Sequence, residues 1–453
     1  MSDLPRTIIS VLSHFASLFS RPVFCHVKTM FSAHIISKGR RCVTDLLRSA
    51  SLTTVKNFSK YHDVFSKAKW STFSGAKILF FQLLRLIPQS EIQIVMDSTI
   101  QRRKGTTIKG LGRKRDPVAS TKDNKVLCIG QEWLVTSILI KFPWALVQWA
   151  CPFLTILMPP KQPLRSSRNK SDLNPKKKSH KKTTQWARQV AYVLRRWLGK
   201  TRKCSLIADS AFACYSIAHT CVKLKIGFIS RLRLDARIFP YPPTAKGRGR
   251  ERLVGKRIRL QDMLHDPALQ WHSALVNWYG GEIKRVEFLT GEHLWYAYGI
   301  KPVAIRWILL RGSTEDANPT VLFSTDLTHD IVWIIESFVS RWKLEVTFEE
   351  VRRHFGFETQ RHWSDKAVDR ITPSLLASFS IVCLCGKEVA QEDEKKVRPQ
   401  QTTWYTKKQV TFSDVLSLMR GEIMSMKIFL GSSKNTNLRK KAVEELLAWV
   451  TAA

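Results

Sequence analysis

Short apolar runs and one amphipathic segment alternate through the first half of the chain. The runs are rich in β-branched and aromatic residues, as strands are, and they lie at 91–99, 204–210, 226–233 and, as a pair, within 133–158. Residues 183–199, TTQWARQVAYVLRRWLG, repeat apolar side chains at helical spacing between a Thr start and a Gly stop. The pattern therefore predicts an α/β fold with the order three strands, helix, strand, helix, strand.

The rest of the chain shows other patterns. Residues 1–75 have apolar residues at helical spacing, which fits a helix-turn-helix DNA reader and a helical cap on a larger domain about equally well. Residues 236–320 contain Pro-rich turns and a Gly280–Gly281 pair, which indicate a small antiparallel β insertion. A strand at 321–327, one long helix at 329–354 and a mostly helical C-terminal region complete the prediction.

The apolar stretch 135–158, VTSILIKFPWALVQWACPFLTILM, is long enough to raise the alternative of a membrane-spanning helix. Lys141, Pro143 and Pro152 interrupt it, and its β-branched and aromatic content favours two buried strands. The N-terminus places one basic residue before a broken apolar stretch, which is a poor match to a signal peptide. We therefore expect no membrane partner.

Composition adds a strong positive charge to this picture. The chain has 74 Lys and Arg against 36 Asp and Glu, a net charge of +38, so its field attracts polyanions. Nucleic acid is the leading partner and an anionic membrane surface is the rival. Residues 161–182 are predicted to form an exposed basic loop. The nine cysteines include no C-x-x-C pair, which predicts buried free thiols.

The stretch 341–356, RWKLEVTFEEVRRHFG, carries three glutamates that helical geometry separates. At about 100° per residue, Glu345 shares an inward stripe with Arg341 and aromatic residues. Glu349 lies at the margin of this stripe, and Glu350 points to the opposite, solvated side. Core-facing glutamates are rare unless they are paired or bind metal. From this helix alone, an Arg341–Glu345 ion pair at a domain seam and a functional carboxylate explain the pattern equally well.

Two further carboxylates, Asp97 and Asp209, lie at the ends of predicted strands and favour the functional interpretation of Glu345. Carboxylates that converge from strand ends and a core-facing helix suit phosphoryl transfer with two Mg²⁺ ions about 3.5–4 Å apart. Asp235 and Asp326 also lie near strand ends. We interpret Asp235 as a partner of its neighbouring arginines and Asp326 as a helix cap.

These residues and the element order resemble bacterial insertion-sequence transposases of the DDE class, in the branch with the signature Y-x(2)-R-x(3)-E-x(6)-K and a β insertion before the final glutamate. The signature here reads Phe338, Arg341, Glu345 and Arg352, with Phe in place of Tyr and Arg in place of Lys. Other blocks similar to the family lie at 57–62, 96–112, 206–213, 228–243, 324–327 and 357–373. The resemblance covers nearly the whole chain.

The resemblance implies an α/β ribonuclease H-like catalytic core that an antiparallel β insertion interrupts, with helical N- and C-terminal regions. The implied domains are a helical DNA-binding region at 1–75, the first part of the core at 76–235, the β insertion at 236–320, the second part of the core with the catalytic Glu helix at 321–386, and a helical C-terminal region at 387–453.

The activity that the resemblance implies is binding of terminal inverted repeats, Mg²⁺-dependent cleavage at the ends, and joining of the 3′-OH to target DNA. Asp97, Asp209 and Glu345 would be catalytic and would hold two Mg²⁺ ions, for which Mn²⁺ can substitute. The reaction would take place in a synaptic homodimer or higher multimer. The expected location is the bacterial cytoplasm, in association with the nucleoid.

The resemblance also implies DNA contacts. Arg341 and Arg352 would contact phosphates near the scissile bond, and further candidates are Lys104, Arg231 and Arg233. An aromatic residue of the β insertion could stack on a flipped base, and the candidates Trp271, Trp278 and Trp295 each fit the hydrophobic core of the insertion as well. The departures at Phe338 and Arg352 motivate an alternative, a catalytically inactive transposase-derived DNA-binding protein or repressor.

Overall fold

The computed structural model describes residues 4–87, 91–105, 107–116, 119–121, 123–161, 180–242, 252–312 and 318–431. Its α-helices are α1 Arg6–Ser13, α2 Arg21–Ile36, α3 Val43–Ser49, α4 Ser59–Ser66, α5 Thr72–Leu84, α6 Thr183–Leu198, α7 Tyr215–Lys223, α8 Ile331–Ser340, α9 Trp342–Phe355, α10 Asp365–Glu392 and α11 Phe412–Gly431. Its strands are β1 Ile92–Arg102, β2 Gly112–Arg115, β3 Leu127–Ile140, β4 Trp149–Met158, β5 Cys204–Ala208, β6 Gly227–Leu232, β7 Ile238–Phe239, β8 His272–Asn277, β9 Ile283–Trp295, β10 Val303–Leu310 and β11 Thr320–Ser324.

One large sheet organises the described residues. Its eleven strands follow the order β2-β3-β1-β5-β6-β11-β10-β9-β7, with β4 paired to β3 and β8 paired to β9. Strand β5 pairs in parallel with β1 and with β6, and the other pairings are antiparallel. The fold is therefore mixed α/β with a mostly antiparallel sheet.

The predicted element order of the first half is confirmed, apart from the short strand β2, which the pattern did not predict. Strands β1, β3 and β4 pair in sequence, and α6, β5, α7 and β6 follow. Helices α6 and α7 lie in the connections that lead to β5 and β6, since parallel neighbours need crossover connections. Helix α6 ends before Gly199, whose φ of 70° is a conformation that glycine adopts without strain. One detail was wrong. Strand β1 does not end at Asp97 but continues to Arg102, because β3 pairs with it as far as Gly130.

The apolar stretch 135–158 forms the end of β3 and all of β4, which confirms the two buried strands. These strands pair from Glu132–Met158 to Ile140–Trp149, and α10 packs on β4. Among the described residues, one helix, α10, is long and apolar enough to cross a membrane. Most of its apolar window is buried inside the protein, as in the core helix of a folded domain.

Two predictions from composition have different outcomes. All nine cysteines are free thiols. Five of them are buried as predicted, namely Cys151, Cys204, Cys221, Cys383 and Cys385. Cys25 is exposed, so the prediction was wrong for this residue, and the remaining three are partly exposed. The predicted basic loop at 161–182 lies, from 162 to 179, outside the described residues.

The predicted β insertion contributes strands to the same sheet as the core. Strand β9 pairs with β7, β8 and β10, and β10 pairs with β11, which pairs with β6. The turn between β8 and β9 contains Gly280 and Gly281, whose φ values of 76° and 87° explain why the sequence has two glycines here. The antiparallel character of this range is thus confirmed, while the boundaries of the five domains stay a prediction.

The N-terminal helices pack on one another and on α10. Helix α2 contacts α3 and α4 around a small core that includes Met30 and Tyr61. Arg370 of α10 anchors the connection, because its guanidinium donates to the carbonyl oxygens of Phe65 and Trp70, each at 2.9 Å. The helical prediction for this region is confirmed. The two interpretations of these helices, a DNA reader and a cap on a larger domain, stay predictions.

The single helix predicted at 329–354 was wrong. It is two helices, α8 and α9, and the break lies at Arg341. Asp330, not Asp326 as predicted, caps α8, because its carboxylate accepts the N–H groups of Val332 and Trp333. The break leaves Arg341 at the junction between the two helices.

A buried polar network ties the start of β1 to the loop before α8. The Glu91 carboxylate accepts the Ser205 hydroxyl at 2.6 Å and lies 3.1 Å from Nε2 of His329. The other ring nitrogen of His329 lies 3.1 Å from the Ser324 hydroxyl. Burial raises the pKa of Glu91, but the hydrogen bonds from His329 and Ser205 more than offset this and hold the pKa below its ordinary value.

Glu91→Gln is therefore expected to lower the free energy of unfolding at pH 7 by about 1–3 kcal/mol. A carboxyl whose pKa is lowered by folding stabilises the protein above its unfolded pKa of about 4.3, and this stabilisation is lost as pH falls through the folded pKa. The difference between the variant and the wild type should shrink below about pH 4. Urea unfolding across this pH range measures it. The exposed Glu394→Gln is the control, and an equal loss in both variants would contradict the network.

Candidate active site

Parallel pairing brings Asp97 and Asp209 together. The last paired residues of β1 and β5 are Met96 and Ala208, so Asp97 and Asp209 are the next residues on two neighbouring strands. Asp209 follows β5 directly, as predicted, and its carboxylate accepts the N–H of Ala211 at 3.0 Å. Both carboxylates therefore lie at the same level of the sheet.

Helix α9 adds Glu345 to this pair. Arg341 connects α9 to β1, because its Nη1 lies 2.8 Å from Oδ2 of Asp97 and 2.9 Å from Oε1 of Glu345. Only 12% of the Arg341 side chain and 14% of the Asp97 side chain are exposed, against 34% for Glu345. The site thus combines two mostly buried side chains, Arg341 and Asp97, with the more accessible Glu345. Arg341 pairs with both of these acids.

Asp97 has a strongly perturbed acidity. Burial raises its pKa to about 7, and repulsion from the Asp209 carboxylate contributes to this increase. Arg341 and the Ser98 N–H act in the opposite direction, and Glu345 adds further repulsion. Asp209 and Glu345 therefore lie near enough to Asp97 for their charges to raise its pKa. Such a perturbed acid beside specific charged partners is typical of functional sites.

The donor set fits a divalent metal ion by its chemistry. Carboxylate oxygens are the ligands that Mg²⁺ and Mn²⁺ prefer, and the repulsion among these carboxylates is what a cation would relieve. As the side chains stand, no three His, Cys, Asp or Glu residues in the described part of the chain are close enough to hold a metal ion. Arg341 supplies positive charge to Asp97 and Glu345 in this arrangement.

The remaining residues of the charged stretch on α9 have different partners. Arg352 donates from Nη2 to the Thr99 hydroxyl at 2.8 Å, so it meets β1 two residues beyond Asp97. Glu349 is exposed, as expected at the margin, and lies 3.9 Å from Arg353. Glu350 is not on a solvated face. It is largely buried beside His354 at 3.2 Å, because the outer side of α9 packs against other helices.

Tyr279 is a residue of this site that the sequence analysis did not single out. It lies in the turn between β8 and β9, and its phenol interacts electrostatically with Arg341, Glu345 and Arg231. Burial is the main reason that the pKa of this phenol is raised. Its ring centroid is 6.0 Å from that of Trp342. The Gly280–Gly281 pair that follows was the only available signal, since it marks a tip that can project.

Hydrogen bonds between Asn277 and Glu336 hold the β8–β9 turn near α9. Oε1 of Glu336 on α8 accepts the backbone N–H of Asn277 at 2.8 Å and its side-chain amide at 2.7 Å. The end of β8 is therefore attached to the helix that precedes Arg341. This contact explains how a strand in the predicted insertion places Tyr279 beside the acids.

The basic candidates for DNA contacts lie at different places. Arg231 is exposed on β6 and close enough to Tyr279 to influence its phenol, so it borders the site. Arg233 is exposed and forms a salt bridge with Asp235 at 2.7 Å, which confirms the interpretation of Asp235. Lys104 is exposed in the loop after β1.

The three tryptophan candidates are now distinguishable. Trp295 is buried and packs against Tyr215 and Phe323, with ring centroids 4.2 Å and 5.2 Å away, so it belongs to the core. Trp271 lies under the guanidinium of Arg311, and Trp278 lies under Nζ of Lys284. Trp278 is also next to Tyr279 in the chain, so it is the candidate of the three that lies nearest this tip in sequence.

The comparisons with known proteins define the class of this protein. A model of the family described as DDE superfamily endonuclease matches residues 15–282, which is more than half of the chain. The chain therefore belongs to the DDE superfamily endonucleases. The matched residues include Asp97 and Asp209 and end before Glu345.

No curated protein matches the chain. Among solved structures, the cryo-EM structure of the piggyBac transposase synaptic complex with hairpin DNA is similar, with a TM-score of 0.41 and 9% sequence identity. The similarity covers 99% of this chain and 81% of that chain.

Proposed function

We propose that this protein is a DDE transposase that binds the terminal inverted repeats of its own insertion sequence, cleaves the ends and joins the 3′-OH to target DNA. The observation that carries the proposal is the pairing of Arg341 with both Asp97 and Glu345, next to Asp209 at the same level of the neighbouring strand. The net charge of +38 supports a polyanionic substrate. Membership in the DDE superfamily endonucleases agrees with cleavage of a phosphodiester bond.

In this proposal, Asp97, Asp209 and Glu345 hold two Mg²⁺ ions, for which Mn²⁺ can substitute. The bound ions supply Lewis acidity that activates the attacking oxygen and stabilises the leaving oxygen. The chain itself positions the DNA. Arg341 and Arg352, which lie on either side of Glu345 along α9, bind phosphate oxygens next to the scissile bond. Tyr279, which is 39% exposed, borders the site on the β8–β9 side.

The proposal also includes the type of catalytic core, the branch of the family and the assembly of the protein. The neighbours β4, β3, β1, β5 and β6, with α6 and α7 between the last three, support a ribonuclease H-like core. The residues Phe338, Arg341, Glu345 and Arg352 support the insertion-sequence branch with the Tyr-Arg-Glu-Lys signature. We further propose that a homodimer or higher multimer pairs the two ends in a bacterial cell, in association with the nucleoid.

Recovery of the DNA that flanks the gene, followed by a cleavage assay, tests this function. We expect matched terminal inverted repeats and, with purified protein and Mg²⁺ or Mn²⁺, nicks at those ends and joined products in a target plasmid. The control is the same DNA with scrambled terminal repeats, which should remain intact. Specific binding of the repeats without cleavage in Mg²⁺ or in Mn²⁺ would contradict the proposed enzymatic activity. It would favour the alternative, an inactive transposase-derived repressor, which the Phe338 and Arg352 departures motivate.

A further inference from the structure

Two large aromatic rings stand exposed at the tip of a tight turn between α10 and α11. Trp404 is 86% exposed and Tyr405 is 63% exposed. The turn is closed in both directions, because the Thr402 N–H donates to the Tyr405 carbonyl at 3.2 Å and the Tyr405 N–H donates to the Thr402 carbonyl at 3.4 Å. Burial of an aromatic ring is strongly favourable, so two adjacent exposed rings on a closed turn indicate a contact surface.

The two legs of the turn are braced by one side chain. The Gln401 amide donates to the carbonyl oxygen of Lys407 at 2.9 Å, and its carbonyl accepts the Lys407 N–H at 3.0 Å. This pair copies the hydrogen bonds of a strand pair across the base of the turn. Residues 402–406, with Trp404 and Tyr405, therefore form a closed loop; we call it the aromatic tip.

A buried carboxylate anchors the aromatic tip to α11. Asp414 is 4% exposed, and its Oδ1 accepts the Gln400 N–H at 3.0 Å and Nζ of Lys407 at 2.8 Å. Both legs of the tip thus end on the same group. The tip is organised before any partner arrives, so little conformational entropy remains to be lost on binding.

The segment that carries the aromatic tip is basic, and three acids, Glu392, Asp393 and Glu394, directly precede it. Residues 395–408 contain five Lys or Arg residues and no Asp or Glu. Lys407 and Lys396 are neutralised by Asp414 and Glu422. For Lys395, Arg398 and Lys408, the described part of the chain shows no ion-pair partner.

We propose that the aromatic tip binds DNA by stacking Trp404 and Tyr405 on unpaired bases while the adjacent cations bind phosphates. Aromatic rings combined with positive charge are the arrangement that proteins use for single-stranded nucleic acid, since every base offers a face for stacking. A second copy of this chain fits less well, because it would bring the same positive charges together. The inference rests on the proposed DNA substrate and adds a contact outside the carboxylate site.

The proposed stacking of the aromatic tip on unpaired bases is tested by measuring the binding of two DNA probes in the absence of metal ions. One probe is a blunt duplex and the other is the same duplex with a single-stranded tail that carries 2-aminopurine. We expect Trp404→Ala with Tyr405→Ala to weaken binding of the tailed probe by about 10- to 100-fold and to abolish the 2-aminopurine quenching. Binding of the blunt duplex should change by less than about twofold, since phosphate contacts remain. Tyr298→Ala, which removes a ring that is 93% exposed elsewhere, should change neither.

A photo-crosslinking residue, p-benzoylphenylalanine, at position 404 provides a second measurement. Crosslinks to the tail of the probe would support the aromatic tip. Crosslinks to a second copy of the chain, equal losses on both probes, or no loss on either would overturn it. The probes contain no transposon end and the assay contains no metal, so its outcome is independent of end cleavage. Failure of cleavage with retained tail binding would count against the proposed function alone.

Discussion

Glu345→Gln is expected to lower end cleavage by at least about 10³-fold while binding of the terminal repeats stays within about twofold of wild type. The reason is that Glu345 is the more accessible of the two acids that pair with Arg341, and Asp97 lies at the same level as Asp209 on paired strands. The amide retains the size of the side chain but not the charge that a divalent ion needs. Asp97→Asn and Asp209→Asn should cause losses of the same order. Single-turnover cleavage of an end-labelled substrate, with a gel-shift assay of the same DNA, measures both quantities.

Glu349→Gln is the matched control for this experiment. Glu349 lies four residues further along the same helix, is exposed, and contacts only Arg353 at a distance of 3.9 Å among the described charged residues. Its loss should leave cleavage unchanged. Full cleavage by Glu345→Gln would exclude the proposed site, and equal defects in both variants would show that α9 tolerates no charge change for structural reasons.

Arg341→Gln is expected to give the second large effect, and it has a readout besides activity. The guanidinium pairs with both Asp97 and Glu345, so its removal leaves coupled carboxylates without their neighbouring cation. Loss of one partner from a mostly buried pair costs about 3 kcal/mol of unfolding free energy. A divalent ion should restore this loss, because it supplies the missing positive charge. Mn²⁺ should therefore raise the melting temperature of Arg341→Gln more than that of wild type.

Differential scanning fluorimetry with and without Mn²⁺ measures this effect. Arg353→Gln is the control, since Arg353 is exposed on the same helix and should change neither the melting temperature nor its response to Mn²⁺. Equal Mn²⁺ responses in wild type and Arg341→Gln would contradict the idea that Arg341 and a metal ion compensate the same carboxylates. End cleavage by Arg341→Gln should also fall by at least about 10²-fold if the guanidinium binds phosphate near the scissile bond.

Local pattern was sufficient to predict much of the fold. The apolar runs rich in β-branched and aromatic residues at β1, β3 and β4 and the helical spacing of apolar residues in α6 identify these elements, because buried strands and amphipathic helices require such residues and spacings. Local pattern failed at α8 and α9, where apolar spacing continues across the break at Arg341. It failed again for Glu350, because a helix that packs on two sides buries more than one stripe.

The candidate acids could also be identified from the sequence, whereas the residues that surround them could not. Asp97, Asp209 and Glu345 were recognisable as candidates because Asp and Glu are seldom buried unless they are paired. The position of Tyr279 beside Arg341 depends on how β8 is attached to α8 through Glu336. Trp278 and Trp295 both lie in the predicted insertion, and only packing shows that Trp295 belongs to the core.

The sequence by itself determined most of the order of the elements and the basic character of the protein, and it selected three candidate acids. Each of these depends on residue type and on spacing between near neighbours. Helical spacing already predicted the Arg341–Glu345 pair as one alternative, but tertiary structure alone decided that Arg341 also pairs with Asp97, a residue 244 positions away along the chain. Such contacts depend on the register of strands and the angle of helices, which no local pattern encodes. The charge-rich start of α9 thus contacts β1 at Asp97 through Arg341.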